Sequence, residues 1–295
     1  MTTDILLTGA GGQVAWEVEQ RAVAAGLTVR ALSRSDLDIT DNKAVHAQVT
    51  ATSPRIIINA AAYTAVDRAE ADKERAFDVN RDGPGHLAAI CATREIVLIH
   101  LSTDYVFDGE SKDPYVEEDF TSPLGAYGES KLAGEAAVRA FLDRHIILRT
   151  AWVYGVHGNN FVKTMLRLGR ERDVLRVVDD QHGSPTFAGD IADALLVIAR
   201  RVISEVLPEE AYGTFHYTGG GTVTWHGFAV QIFDLAAQDL ERQPKVEAIT
   251  TAQYPTPAKR PANSVLDCGK IGRIYGIVQR PWEESLREML AKTLG

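Results

Sequence analysis

The 295-residue sequence predicts a doubly wound α/β protein of the Rossmann type, carrying a smaller, interleaved substrate-binding lobe. Three observations predict it. Short, wholly apolar runs such as Ile56-Ile57-Ile58 and Ile96-Val97-Leu98-Ile99 suit parallel strands buried on both faces. These runs alternate with amphipathic helical stretches through the first half, as a parallel sheet requires. The first of them leads at once into a glycine-rich turn that opens a helix.

In chain order, strands are expected over residues 4–8, 28–32, 55–60, 96–102 and 145–150. Helices over 13–25, 70–93 and 127–141 fill most of the gaps between them. Two later pieces, 174–178 and 214–218, can extend the same sheet. Residues 1–150 thus read as a dinucleotide-binding domain. Residues 151–295 read mainly as a substrate lobe, because Gly/Pro-rich and aromatic stretches at 157–160, 219–221 and 254–261 interrupt the regular periods.

Composition narrows the function. Hydrophobic residues at 45% and charged residues at 24% are ordinary for a globular protein, and the length allows a large core. A formal net charge of -9 argues against a broad basic surface for nucleic acid, so an anionic ligand must be held by local groups. The two cysteines, Cys91 and Cys268, are too few for a disulfide framework and lie outside metal-like spacing. The chain runs almost directly from Met1 into an apolar strand, and no apolar segment approaches the roughly 20 residues of a membrane helix. The expectation is a cytoplasmic protein with no membrane partner.

The turn Thr8-Gly9-Ala10-Gly11-Gly12-Gln13-Val14-Ala15 follows the first strand. Glycines there let the backbone turn sharply and bring amide donors and a helix N-terminus against a pyrophosphate. Alone it could be a tight loop; its place between buried strand and helix favours a dinucleotide. After the second strand, Ser33-Arg34-Ser35 stands where an acidic residue would hold a ribose hydroxyl. An arginine there can pair with a 2′-phosphate, which favours NADPH over NADH, though a solvated loop arginine stays open.

Tyr127-Gly128-Glu129-Ser130-Lys131 places a phenol and an ammonium four residues apart on one helical face. Of nine tyrosines, Tyr127 alone has a lysine at that offset. A cation at roughly 5 Å, with an effective dielectric of about 20, is worth about 3 kcal/mol, or about two pKa units off a phenol. An isolated pair would read as an exposed Tyr and Lys. This one is accompanied by Ser102-Thr103-Asp104 at the end of the fourth strand, where open sheets build their sites.

The order of these three features resembles the extended short-chain dehydrogenase/reductases. Finer strings are similar to the branch that reduces the 4-keto group of dTDP-linked 6-deoxy sugars. They are Asn59 to Asp67, Ser102 to Phe107, Ser122-Pro123-Leu124, Arg149 to Tyr154, Gly158 to Phe161, Asp180 to Thr186 and Arg260 to Ser264. They span almost the whole chain.

The resemblance implies hydride transfer to sugar C4 of dTDP-4-dehydro-6-deoxy-L-mannose, for cell-surface polysaccharide precursors. Tyr127 would protonate the oxygen, Lys131 would lower the pKa of Tyr127 and bind the nicotinamide ribose, and Thr103 with Ser102 would orient the carbonyl. Cofactor contacts are implied at Gly9, Gly11, Gly12, Gln13, Val14, Arg34, Asp38, Ile39, Ala60, Ala61, Ala62, Tyr63, Asn80, Tyr127 and Lys131. Substrate contacts are implied at Ser102, Thr103, Asp104, Trp152, Asn160 and Arg260, with core packing the plainer reading of Trp152 and surface charge that of Arg260. Dehydrating relatives carry Asp-Glu after the active-site Thr, and epimerising reductases a Cys; here Asp104 precedes Tyr105. Some relatives form a magnesium-linked dimer through glutamates near Glu17 and after the Pro-Thr motif. Gly189-Asp190 occupies the second segment here, so magnesium is not expected and a homodimer is left open. The competing readings are another nucleotide-4-keto-sugar reductase, a C4 epimerase, or a non-catalytic regulatory subunit on the same fold. His100 and His182 are expected to be hydrogen-bonded structural residues.

Overall fold

The computed structural model describes residues 3–295. Six parallel strands make the central sheet: β1 (Ile5–Thr8), β2 (Val29–Leu32), β3 (Ile56–Asn59), β4 (Val97–Thr103), β5 (His145–Thr150) and an edge strand Gly213–His216. Their spatial order is β2-β1-β3-β4-β5 and then the edge strand beside β5. The chain reverses its direction of travel between β1 and β3, and their carboxyl ends therefore flank a crevice suited to a ligand.

Period-two burial sorts each strand onto two cores. Ile5, Leu7, Ile56, Ile58, Val97, Ile99, Ile146 and Leu148 face one layer, where α1 (Gln13–Ala22) packs. Leu6, Ile57, Leu98 and Ile147 face the other, where α2 (Asn42–Thr52) packs with helices described next. This two-sided burial explains why the strands are apolar throughout.

The helix expected over 70–93 is interrupted. Short α3 (Val66–Ala69) and α4 (Lys73–Phe77) precede a π-helical stretch, Asp78–Asp82, which leads into α5 (Gly83–Arg94). The bulge brings Asn80 against α6 (Ala126–Phe141), where a Cβ added at Gly134 would lie 1.9 Å from the Asn80 carbonyl oxygen. Tertiary contact thus overrides helical regularity there.

The second half contributes α7 (Phe161–Glu171), α8 (Ala188–Ser204), α9 (Trp225–Leu235), α10 (Gly269–Tyr275) and α11 (Trp282–Leu294). Helix α8 packs beside α1 on the sheet, while α7, α9 and α11 enclose a separate core around Leu166, Phe228 and Leu286. The segment Gly213–His216 joins the sheet, but Val174–Val178 does not. It pairs with Lys245–Ile249 in a two-stranded ladder, since Val174 and Arg176 face solvent and only Leu175 and Val177 are buried. Among the described residues, no helix is long and apolar enough to cross a membrane.

Candidate active site

A cleft of about 960 Å³ runs along the carboxyl ends of the strands. Its floor begins at the glycine turn. Gly9 sits at φ +81°, and an added Cβ would meet Ala60 and Ala61 backbone atoms at 2.6–2.7 Å. Gly11, at φ +89°, opens onto free space, so the backbone there can be approached closely. Gly12 caps α1 with no side-chain hydrogen bond to the first amides. Those donors and the positive end of the helix dipole suit a pyrophosphate, so the residues present fit a dinucleotide.

Gln13, Val14, Ala60, Ala61, Ala62 and Tyr63 continue the wall, with Arg34, Asp38 and Ile39 at the far end. Partial burial works against ionisation of Asp38, but the Thr40 hydroxyl and amide and the Arg75 guanidinium hold its pKa at about 2. The carboxylate therefore stays charged, paired with Arg75 at 3.2 Å and Arg34 at 3.4 Å. Arg75, which sequence reasoning missed, thus offsets the Asp38 charge, while Arg34 is largely exposed and can reach a 2′-phosphate.

At the cleft centre lie Thr103, Asp104, Tyr127 and Lys131. Tyr127 stands edge-on to Tyr105, with ring centroids 5.4 Å apart. Its phenol is raised to about 12, because burial disfavours the phenolate; Thr103 pulls it down by hydrogen bonding and Asp104 pushes it up by charge. Lys131 is not among the influences on the resting phenol. The i,i+4 spacing puts both side chains on one face, but the Lys131 amine turns to β4, donating to the Leu101 carbonyl at 2.7 Å with His100 Nε2 at 3.4 Å. Burial lowers Lys131 itself to about 8, against the attraction of Glu135. Thr103 donates to Asp104 Oδ1 at 2.9 Å and accepts from the Tyr105 amide, and the Ser264 hydroxyl also favours the buried Asp104 carboxylate. Burial raises Asp104 to about 6.

Several residues expected at ligands are engaged elsewhere. Ser102 lines the cleft, but its hydroxyl donates to Glu135 at 2.6 Å. Asn80 is fully buried and holds Tyr63 through both its amide and carbonyl groups, shaping the wall rather than forming it. Asn160 caps α7 and donates to Gly155 and Gln13. Arg260 pairs with Asp67 at 2.9 Å. Neither Asn160 nor Arg260 lines the cleft. Trp152 does, at φ +47°, stacked on Trp225 with centroids 3.5 Å apart and seated on Gly183, where a Cβ would collide with its ring. A bulky residue in that backbone region is strained by about 1–3 kcal/mol and must be held by its surroundings. Trp225, unmarked by any motif, is its partner.

At the positions where some relatives hold magnesium between subunits, the carboxylates have cationic partners. Glu17 is bound to Arg21 at 3.0 Å, and Asp190 to Arg280 at 3.1 Å and to Ser285. Among the described residues no group of three or more His, Cys, Asp or Glu side chains is placed to hold a metal.

Comparison with known proteins agrees with this geometry. The family model for the RmlD substrate binding domain matches residues 2–294. The dTDP-4-dehydrorhamnose reductase of Aggregatibacter actinomycetemcomitans is 47% identical, covering 97% of this chain and 98% of the relative. Among solved structures, a dTDP-4-dehydrorhamnose reductase of Clostridium acetobutylicum superposes with a TM-score of 0.91 at 42% identity, covering 98% and 99% of the two chains. The Bacillus anthracis reductase, solved in complex with NADP, also gives 0.91, at 34% identity and covering 99% and 100%. With the glycine turn, the Tyr127/Lys131 helix and the strand-end hydroxyls in one cleft, and with relatives matched from end to end, the chain belongs to the dTDP-4-dehydrorhamnose reductase family.

Proposed function

We propose that this protein reduces the 4-keto group of dTDP-4-dehydro-6-deoxy-L-mannose with NADPH, giving dTDP-L-rhamnose. The observation that carries this reading is a half-buried phenol, Tyr127, kept protonated in a cleft continuous with the dinucleotide turn. A phenol at about 12 holds its proton at neutral pH, the form a reduction needs from a general acid. The reduced nicotinamide, when bound, supplies hydride to sugar C4. Tyr127 gives its proton to O4, and Lys131 on the same helical face offsets the phenolate left behind. Thr103 orients the oxygen beside Tyr127 by turning its one hydroxyl proton from Asp104 to the sugar O4. The stacked Trp152 and Trp225 form an apolar wall for the sugar nucleotide. Arg260 is held by Asp67 and the Ala258 carbonyl, with Nε left to meet the substrate. In this reading residues 1–150 hold the cofactor and 151–295 the sugar, except that α8 and Gly213–His216 complete the sheet lobe.

The test is loss of reduced-nicotinamide absorbance with NADPH and the epimerised dTDP-4-keto-6-deoxyhexose. Wild type should consume both, and Tyr127→Phe should lose at least a hundredfold in turnover while retaining NADPH affinity. Near-normal turnover in that variant sinks the assignment. A protein that binds NADPH without consuming it would instead match the regulatory-subunit reading.

A further inference from the structure

Behind Lys131 lies a buried polar chain that the proposed mechanism leaves unused. Thr8, Asn59 and His100 are each 0% exposed, on three adjacent strands, and Lys131 is 2% exposed. Asn59 Oδ1 accepts from the Ala61 backbone amide at 3.1 Å and from the Thr8 hydroxyl at 2.6 Å. A backbone amide can only donate, so this contact fixes which end of the Asn59 carboxamide is oxygen. Asn59 Nδ2 must then be the group 3.0 Å from His100 Nδ1, and it donates. His100 Nδ1 is therefore an acceptor. A neutral ring with a bare Nδ1 carries its proton on Nε2, and Nε2 faces the Lys131 amine at 3.4 Å. That separation is long for a hydrogen bond, as expected where one N–H meets another. Burial and the nearby charge of Lys131 keep the ring neutral.

We propose that His100 is a positioning residue for Lys131: Asn59 locks its ring in the Nε2–H form, so that β4 offers the lysine a donor where an acceptor would pin its charge. The proposal rests on Lys131 acting beside Tyr127. Its consequence is that the ammonium is anchored through the Leu101 carbonyl but its proton is easily given up. When the Tyr127 phenolate recovers a proton from Lys131, phenol is restored, and solvent in the cleft returns a proton to the amine before the next turnover. In the interval the neutral amine accepts from His100 Nε2–H instead of being left bare. His100 does not itself relay protons, because Nδ1 is blocked by Asn59 and the chain ends at Thr8 and the Ala61 amide.

Other titratable and charged groups surround Lys131 and His100. Glu135 and Tyr127 lie on its own helix, and Asp104 faces Tyr127. Glu135 is bound by Arg149 and Arg139, while Arg139 and His145 face His100.

Two experiments test the proposal. Long-range proton–nitrogen correlation on protein labelled with ¹⁵N-histidine, with His100 assigned from a His100→Gln sample, reads the tautomer without any assay. The expected result is a proton on Nε2 and none on Nδ1 from about pH 6 to about 9. A proton on Nδ1, or on both nitrogens, overturns the lock. Asn59→Asp keeps the oxygen facing Ala61 and Thr8 but turns the donor toward His100 into an acceptor, forcing Nδ1–H and baring Nε2. The alkaline limb of kcat/KM should then move up by about one pH unit or more. His100→Gln, which adds no charge, must move it the same way and stands in if Asn59→Asp does not fold. An unmoved limb in a folded variant overturns the tuning role. Because the tautomer is read without turnover, an active Tyr127→Phe protein would refute the proposed chemistry and leave the lock separately decided.

Discussion

Lys131 and Glu135 sit one turn apart on the same buried face of α6, and the fold treats them in opposite ways. The Glu135 carboxylate accepts from Ser102 at 2.6 Å, from Arg149 at 2.9 and 2.7 Å, and from Arg139 at 2.9 Å. Burial works against its charge, but the Arg149 contacts outweigh it and hold the acid below the usual carboxylate range. Lys131 has the Leu101 carbonyl, the attraction of Glu135 and a histidine N–H turned toward it. Its pKa falls to about 8. A buried charge surrounded by partners fastens α6 to β4 and β5. A buried charge left short of partners costs stability and is kept for what it does.

The sharpest break in that contrast is Lys131→Met. Turnover should fall at least a hundredfold, since the phenolate of Tyr127 loses its cation. Stability should move the other way. A fall from 10.5 to about 8 means that the charged lysine costs the fold about 3 kcal/mol at neutral pH. The depressed value makes that cost present below pH 8 and relieved as pH rises from about 8 toward 10.5. Thermal unfolding should therefore place Lys131→Met at or above wild type at pH 7, with the advantage shrinking above pH 8. A marked fall in Tm at pH 7 would show that the lysine is a fastener after all.

Glu135→Gln is the converse. It strands Arg149 in the interior, and breaking a buried pair from one side costs about 3–5 kcal/mol. The sign again follows from the shift. A carboxyl held below 4.5 contributes stability that is present above that value and lost as pH falls through its lower folded value. The gap between wild type and variant, read by denaturant unfolding, should be full at pH 7 and close in acid. A gap that stays constant down to acid pH would show that shape, not charge, holds this turn.

The same two turns mark how far the sequence could be read. The sheet was legible because strands such as Ile56–Asn59 are buried on both faces, leaving no polar position to blur the pattern. The glycine turn was legible because Gly9 and Gly11 adopt positive φ, which few other residues tolerate. Tyr127 and Lys131 stood out because four residues is a helical neighbour distance. Where the Lys131 amine points was not legible, since its partners come from β4, about thirty residues earlier. Asn80 and Asn160 carry the polar chemistry of ligand contacts, yet one supports the Tyr63 loop and the other caps α7. Composition cannot separate those uses. Val174–Val178 could extend the central sheet by its sequence but pairs with Lys245–Ile249, with Leu175 and Val177 buried against exposed Val174 and Arg176.

Ser102 gives the smallest effect and the finest discrimination. Its place beside Thr103 at the end of β4 made it a candidate to hold the sugar oxygen, and it does line the cleft. Its hydroxyl proton, however, is directed at Glu135 Oε1, which Arg149 Nε also reaches at 2.9 Å. Ser102→Ala removes one of several donors from a carboxylate that keeps the others, so the cost should be about 1 kcal/mol in unfolding free energy. If the serine belongs with Glu135, KM for the sugar nucleotide should change less than about twofold, and the alkaline limb set by Lys131 should stay where it is. A rise in KM of tenfold or more at unchanged stability would return Ser102 to the substrate. It would also mean that its bond to Glu135 is exchanged on binding, so that the two turns of α6 communicate through β4.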